Sequence, residues 1–381
     1  MEQRRISMAD IVVGKPLPWD VYDSNNKLLL RKGHVVQREQ QVETLVLRGL
    51  FVTATSDSAG SIQPGPAAVR PIERPSALRL LNLATKRLER LLFNLHNESE
   101  LYPKIVEVVA AIRFAVDINP DVALGCILLN QDAGSYPVRH GVDCAVVSLL
   151  VARAMNKPPQ EAQAIMAAAL LMNVGMLRHH EHLHRCEQPL SAEEHALIRN
   201  HPEQSASLLR DAGIADENVL NYVLLHHENE DGSGYPRGKR SAEIPENAKI
   251  LALADRYCAR VSSRLYRKAM LPNAALRDIL LTEKKNIQPL LAACFIRELG
   301  TYPTGSFVRL VNGEVGVVTG RGSSTTTPVV HALIGPRGAP LSYPIRRETH
   351  KELHAIREVL HEAQAGVRIS MQQLWGTEAA L

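Results

Sequence analysis

Residues 224–238 read LLHHENEDGSGYPRG and are the most informative stretch of the chain. Two adjacent histidines, His226 and His227, end an apolar segment, and a glycine-rich turn then leads to Tyr235 and Pro236. Imidazole is a good ligand for iron, manganese and zinc. Because neighbouring residues of a helix point about 100° apart, both imidazoles can line one cavity only if it is broad or holds more than one metal ion. The stretch therefore predicts a metal site between a helix end and a tightly turned loop.

The chain around this stretch is predicted to be mainly helical. Aromatic residues make up only 4% of the sequence while Ala and Leu are plentiful, which favours packed helices over sheets. Residues 78–299 show helical patterning almost without a break, and Ser191 with Glu194 predicts a capping box at the start of one helix. One amphipathic face is marked by Leu81, Leu88, Leu91 and Leu92.

The residue patterns at the two ends of the chain differ from the helical pattern of the middle. Residues 1–55 combine short apolar runs and turn signals with a helix predicted at 37–49, which indicates a small α+β accessory domain. Residues 56–76, rich in Ser, Gly and Pro, are predicted to be a linker. Near the other end, Asn312-Gly313 between alternating segments predicts a β hairpin, and a last helix is predicted at about 347–365. The predicted organisation is an accessory domain at 1–55, a linker at 56–76, a helical connector at 77–134, the main helical domain at 135–300 and a C-terminal hairpin region with a closing helix at 301–381.

Composition excludes several classes of protein. The net charge of +4 is too small to predict a nucleic-acid polymer as partner. Five widely spaced cysteines without a CxxC pair argue against a disulfide framework or a zinc finger and favour a reducing cytosol. No signal peptide is recognised at the N-terminus, and the most apolar stretch, residues 164–177, is too short to span a bilayer. A cytoplasmic protein without a membrane partner is expected.

The stretch HHENEDGSGYP, residues 226–236, resembles the signature HHExxDGxGYP of HD-GYP proteins at all eight fixed positions. The flanking sequence agrees: His140 follows SYPVR, His201 precedes a proline, Asp255 lies in ILALADRYCAR, and RLYR at 264–267 is similar to the RPYR of that family. Residues 301–318 resemble its PxGSxVxLxxGxxGxV tail. The resemblance covers about residues 135–318. It implies an all-helical domain that binds two or three metal ions and hydrolyses cyclic di-GMP.

The resemblance also assigns roles to individual residues. The implied metal ligands are His140, His201, His226, His227 and Asp255. The implied GYP loop consists of Asp231, Gly232, Gly234, Tyr235 and Pro236. Apart from the resemblance, the sequence offers cations that could hold phosphates, for which a solvated basic loop is an equally good interpretation: Arg237, Lys239 and Arg240 just after the GYP loop, and Arg264 and Arg267. The implied cofactor is one or two divalent ions, iron or manganese, and the implied partners are cyclic di-GMP or a related dinucleotide and GGDEF-type cyclases.

One motif departs from the family pattern. Where HD-GYP proteins have LLHDIGK, this chain reads LLMNVGM, so that Met172, Asn173 and Met176 replace the metal-binding His, the bridging Asp and the Lys near the phosphate. A carboxylate can bridge two cations that together activate a water molecule for attack on phosphorus. An amide is neutral and bridges poorly, and a thioether suits copper(I) rather than iron(II) or manganese. We therefore expect no intact catalytic set and weak or absent diesterase activity.

Three interpretations of function stay open on the sequence. The first is a degenerate HD-GYP protein that binds a nucleotide or a partner without hydrolysing it. The second is an active phosphodiesterase with unusual ligands, for which the histidine-rich stretch RHHEHLHR at residues 178–185 offers substitute donors, although a solvated polar segment is the simpler interpretation. The third is a metal-free interaction protein that uses only the GYP surface.

Overall fold

The computed structural model describes residues 3–5, 14–17, 20–22, 28–36, 51–53, 75–130, 133–179, 190–262, 269–282 and 287–381. The chain divides into two compact units, residues 1–71 and 72–381. In the first unit, strands β1 (Gln3–Arg5), β2 (Val21–Tyr22), β3 (Leu28–Leu30) and β4 (Phe51–Thr53) form an antiparallel sheet in the order β1-β4-β2-β3. Val21 is fully buried. The predicted helix at 37–49 and most of the predicted linker lie outside the described residues.

The second unit is built mainly of helices, as predicted. In chain order they are α1 (Ala77–Phe93), α2 (Leu101–Ile118), α3 (Pro120–Leu129), α4 (Tyr136–Ala154), α5 (Pro159–Leu171), α6 (Ala192–Asp211), α7 (Glu217–Leu225), α8 (Glu246–Val261), α9 (Pro272–Thr282) and α10 (Pro289–Leu299). The predicted leucine face of α1 is buried, and the predicted capping box of Ser191 and Glu194 opens α6. Within the described residues, no helix combines the length and apolarity that crossing a bilayer requires.

Helix α4 lies at the centre of the unit, buried over most of its length, and it packs against α5 and α8. Small residues allow the close contact with α5. A Cβ atom at Gly141 would lie 3.1 Å from the carbonyl oxygen of Ala169, which is tighter than ordinary van der Waals contact. Gly141 directly follows His140 in the chain. The close packing of α4 against α5 therefore also fixes the position of the His140 backbone.

A five-stranded antiparallel sheet follows the helices. Strands β5 (Phe307–Leu310), β6 (Val315–Gly320), β7 (Val329–Ile334), β8 (Pro340–Glu348) and β9 (Ile356–Leu360) are arranged in the order β8-β7-β6-β5-β9. The turn predicted at Asn312-Gly313 is confirmed, because β5 and β6 pair on either side of it and Gly313 has a φ of +90°.

The helix predicted at 347–365 is wrong. Residues 340–348 and 356–360 are strands, and within that range only a 3-10 turn (Glu352–His354) and the four-residue α11 (Glu362–Ala365) are helical. Strand β9 pairs with β5, so the requirement to complete a ladder overrides the helix propensity of this Glu-, Arg- and Leu-containing segment. A final short helix, α12 (Met371–Trp375), returns to the sheet, where the Trp375 indole N–H donates to the Thr319 carbonyl.

Candidate metal centre

Four helices bring the predicted ligands together. His140 lies on α4 and His201 on α6, His226 and His227 follow the end of α7, and Asp255 lies on α8. Their donor atoms form two groups. One donor atom each of His201, His226 and His227 lie within 4.8 Å of one another, and the same holds for His140, Cys144 and Asp255. We call these the three-histidine cluster and the His140 cluster.

Asp255 joins the two clusters. Its Oδ1 lies 2.8 Å from His140 Nε2, and its Oδ2 lies 3.9 Å from His227 Nδ1. Burial alone would raise the pKa of Asp255, but the hydrogen bond from His140 and the nearby His227 outweigh burial and hold this pKa well below its ordinary value. The carboxylate is therefore anionic, and it faces both groups of donors.

The geometry of the three-histidine cluster fits a metal ion. The Nδ1–H of His201 donates to the Ile198 carbonyl and that of His226 donates to the Val223 carbonyl, each at 2.6 Å. A carbonyl can only accept, so both rings keep an unprotonated Nε2, and these two atoms lie 3.2 Å apart. Two lone pairs at this separation repel each other unless a cation lies between them. Two nitrogens each about 2.1 Å from one metal ion are roughly 3.0–3.4 Å apart, which matches the observed distance.

The electrostatics of the three-histidine cluster favour neutral ligands. Burial, reinforced by His226, lowers the pKa of His201 to about 3. Burial also lowers the pKa of His226 and that of His227, the latter further reduced by His226. Neutral imidazoles with their lone pairs free are the form that binds a metal, and the backbone acceptors behind Nδ1 fix the ring orientation.

The turn at Met172 and Asn173, where the resemblance places the HD dyad, is held firmly but lacks the expected ligands. Met172, fully buried, and Asn173 follow α5, and a 3-10 turn spans Val174–Met176. Ser205 of α6 holds this turn, because its hydroxyl donates to the Met172 carbonyl and accepts from the Gly175 N–H. A Cβ atom at Gly175 would lie 2.8 Å from the His201 carbonyl oxygen, so the turn and α6 are in direct contact. A thioether and an amide thus stand where imidazole and carboxylate were expected.

The GYP loop is held against the three-histidine cluster. Tyr235 stacks on His227 with ring centroids 4.6 Å apart, and the Tyr235–Pro236 peptide is cis. A Cβ atom at Gly234 would lie 2.3 Å from the Asn229 backbone nitrogen, so only glycine fits there. Asp231 is exposed and accepts hydrogen bonds from the N–H and hydroxyl of Ser233, and Gly232 has a φ of +81°. Asp231 therefore shapes the loop through local hydrogen bonds.

Two features of the site were missed on the sequence. Glu228 is buried, and its two carboxylate oxygens accept the backbone N–H groups of Arg237 at 2.7 Å and Lys239 at 2.9 Å. Cys144 lies with its Sγ 3.6 Å from His140 Nε2. The invariable Glu of the matched signature pointed to the first feature, and the four-residue spacing from His140 to Cys144 on one helix face pointed to the second.

The predicted phosphate-binding cations have acidic neighbours. Arg237 pairs with Glu203 at 3.2 Å and Lys239 with Glu243 at 2.5 Å, and all four side chains are substantially exposed. Such exposed ion pairs are weak and exchange partners readily. Arg264 and Arg267 lie outside the described residues, as do residues 180–189, which hold most of the predicted histidine-rich stretch.

Comparison with known proteins finds an HD domain around this site. Residues 133–290 match the family model described as an HD domain. A cyclic di-GMP phosphodiesterase of Pseudomonas aeruginosa is 29% identical over 232 residues, which are 61% of this chain and 56% of that protein. A 3′3′-cGAMP-specific phosphodiesterase of Vibrio cholerae is 22% identical over 278 residues, which are 70% of this chain and 64% of that protein. The chain thus spans less than two thirds of either relative.

Among solved structures, an HDG"Y"P protein from Bdellovibrio bacteriovorus aligns with a TM-score of 0.45 at 16% identity, covering 77% of this chain and 98% of that one. The segment that matches the HD-domain model contains every residue of the three-histidine and His140 clusters. That segment, residues 133–290, is an HD domain, and the resemblance to the HD phosphohydrolases found in the sequence is confirmed.

Proposed function

We propose that this chain binds a cyclic dinucleotide of the cyclic di-GMP class at the three-histidine cluster and hydrolyses it weakly or not at all. The relatives named above act on cyclic di-GMP or 3′3′-cGAMP, which supports this substrate class. Two features support the proposal. The three-histidine cluster fits a metal ion, and the His140 cluster lacks the His and Asp ligands expected at positions 172 and 173.

The hydrogen bond between His140 and Asp255 supports the expectation that hydrolysis is weak or absent. In HD-GYP proteins the first His, the HD dyad and the late Asp hold one metal ion together. Here the dyad is Met172 and Asn173, and the two surviving members satisfy each other at 2.8 Å. A bridging carboxylate at position 173 is absent, which removes the usual means of holding two ions around one activated water.

The three-histidine cluster supports the binding half. His201, His226 and His227 would hold one divalent ion, iron or manganese by resemblance, which when bound supplies open coordination positions for a phosphate oxygen. The exposed guanidinium of Arg237, in a weak pair with Glu203, lies on the loop next to the cluster and can exchange that carboxylate for a phosphate. The loop's role as a contact for GGDEF-type proteins stays a prediction from the resemblance.

The test uses the full chain, purified anaerobically, with metal content, cyclic di-GMP affinity and cyclic di-GMP turnover measured on the same sample. We expect bound iron or manganese, measurable nucleotide binding, and turnover several powers of ten below that of an intact relative, since even the loss of one supporting partner of a metal site costs about 10–100-fold. The variant His201→Ala should lose both the ion of the three-histidine cluster and the nucleotide, while Cys126→Ala, a buried change on α3, should keep both.

Two results would contradict the proposal in different ways. Turnover equal to that of an intact relative would establish an active phosphodiesterase with unusual ligands. Unchanged nucleotide affinity in a His201→Ala variant that has lost the ion of the three-histidine cluster would show that this cluster is not the binding site.

A further inference from the structure

The His140 cluster contains a donor that the HD-GYP pattern does not include. Cys144 lies one turn after His140 on α4, and its Sγ is 3.6 Å from His140 Nε2. A sulfur at about 2.3 Å and a nitrogen at about 2.0–2.1 Å from one tetrahedral zinc ion are separated by roughly 3.5 Å. The observed sulfur-to-nitrogen distance therefore matches two ligands of one ion.

A second thiol lies beside the first. Cys258 follows Asp255 by three residues on α8, so both side chains lie on the same face of that helix. The thiols of Cys144 and Cys258 are both buried. Helices α4 and α8 thus bring one imidazole, one carboxylate and the thiol of Cys144 within 4.8 Å of one another, with the thiol of Cys258 on the same face of α8 as Asp255.

The charge around this place also suits a cation. Besides Asp255, the carboxyl group of Asp143, next to Cys144 in the chain, is buried, and its Oδ2 has no hydrogen-bond partner among the described residues, although Arg139 is close enough to act on its charge. Groups that carry negative charge are costly to bury unless a cation or a hydrogen-bond donor compensates them. A divalent ion among His140, Cys144 and Asp255 would provide this compensation.

We infer that His140, Cys144 and Asp255 form a second metal site with a thiolate ligand, and that it takes a borderline-soft divalent ion such as zinc. Binding replaces the thiol proton of Cys144, which is released to solvent, by a bond from sulfur to the metal, and the ring proton of His140 moves from Nε2 to Nδ1, so that Nε2 exchanges its hydrogen bond to Asp255 for a bond to the ion. A mixed N, S and O donor set suits zinc better than manganese or magnesium. All three ligands are buried, as in closed structural sites, so the ion would link α4 to α8 without activating water. This inference goes beyond the proposed function and does not need nucleotide binding.

The experiment titrates the metal-stripped full chain anaerobically with cobalt(II), which replaces zinc and shows a charge-transfer absorption in the near ultraviolet only when a thiolate is bound. We expect two cobalt ions per chain and a clear thiolate band. Cys144→Ala should abolish the band and leave one ion. Cys126→Ala, which removes a buried thiol from α3, should change neither the band nor the stoichiometry.

The variant His201→Ala separates this inference from the proposed function. It should remove the ion of the three-histidine cluster and keep the thiolate band. If Cys144→Ala fails to give folded protein by circular dichroism, Cys144→Ser replaces it, because a hydroxyl has nearly the size of the thiol but is a poor ligand for zinc or cobalt. The inference is overturned if saturated wild-type protein shows no thiolate band, or if the band persists in the folded Cys144 variant.

Discussion

Glu228 offers the sharpest test of how the site is assembled. Its buried carboxylate accepts two backbone N–H groups of the GYP loop, those of Arg237 and Lys239, at 2.7 and 2.9 Å. The variant Glu228→Gln keeps the shape of the side chain but replaces one accepting oxygen by an NH₂ donor. One of the two loop N–H groups would then face another donor in a buried place.

The expected magnitude follows from this loss. Leaving one buried donor unsatisfied costs about 1–3 kcal/mol, and hydrogen bonds to charged acceptors lie at the upper end. Since about 1.4 kcal/mol corresponds to a factor of ten, the local opening of the loop should become about 5- to 150-fold more frequent. Amide hydrogen exchange reports this opening directly, without requiring the whole chain to unfold in one step.

The assay is hydrogen exchange of peptides that cover residues 235–240, with Glu203→Gln as the matched control. Glu203 also contacts Arg237, but through the exposed side chain rather than the backbone. We expect exchange to accelerate at least fivefold in Glu228→Gln and to stay within about twofold in the control, because exposed ion pairs contribute about 0–1 kcal/mol. Equal exchange rates in the two variants would refute the conclusion that Glu228 holds the GYP loop through its two backbone hydrogen bonds.

Three further predictions concern the rest of the site. The triple change Met172→His, Asn173→Asp and Met176→Lys should raise cyclic di-GMP turnover by at least about 10–100-fold, measured on metal-loaded protein; no gain would show that the damage lies elsewhere. In metal-free protein the unfolded chain takes up a proton below about pH 6.5 that folded His201, with its pKa of about 3, does not. Stability should therefore fall with falling pH, and His201→Gln should reduce the loss between pH 6.5 and 5 by about 2 kcal/mol in urea unfolding. Gly234→Ala should cost about 1–3 kcal/mol of stability by overpacking, and an unchanged unfolding midpoint would contradict the contact argument.

Much of the helical fold could be predicted from local pattern. The leucine face of α1, the capping box at Ser191 and the turn at Gly313 each depend on a few neighbouring residues, and each is present in the structure. The helix predicted at 347–365 failed because that segment completes a sheet with β5, a partner nearly fifty residues away. Strand pairing of this kind depends on tertiary contacts, and these cannot be inferred from the secondary-structure propensity of the segment alone.

The site, like the fold, has parts that local sequence patterns predict and parts that depend on tertiary contacts. The signature located the histidines because their spacing is local, and the structure brings His201 to His226 with Nε2 atoms 3.2 Å apart. The signature singled out Glu228, and the four-residue spacing placed Cys144 beside His140, but the hydrogen bonds of Glu228 to the loop and the neighbours of Cys144 depend on where a loop or a second helix comes to lie, which the sequence alone does not reveal. Residue type alone left Cys144 as one of five scattered cysteines.

The replaced HD dyad shows why the two halves of the site can have separate roles. Ser205 and Gly175 hold the turn at Met172 against α6 through backbone contacts that do not involve the side chains of residues 172 and 173. The exchange of His and Asp for Met and Asn can therefore leave the backbone, and with it His201, in place. The side chains at positions 172 and 173 can therefore change without moving the backbone around them. The chain then loses the bridging carboxylate while the three-histidine cluster keeps its geometry. On this argument, restoring the dyad should add to an existing binding site, so nucleotide affinity should change far less than turnover when the triple variant is measured.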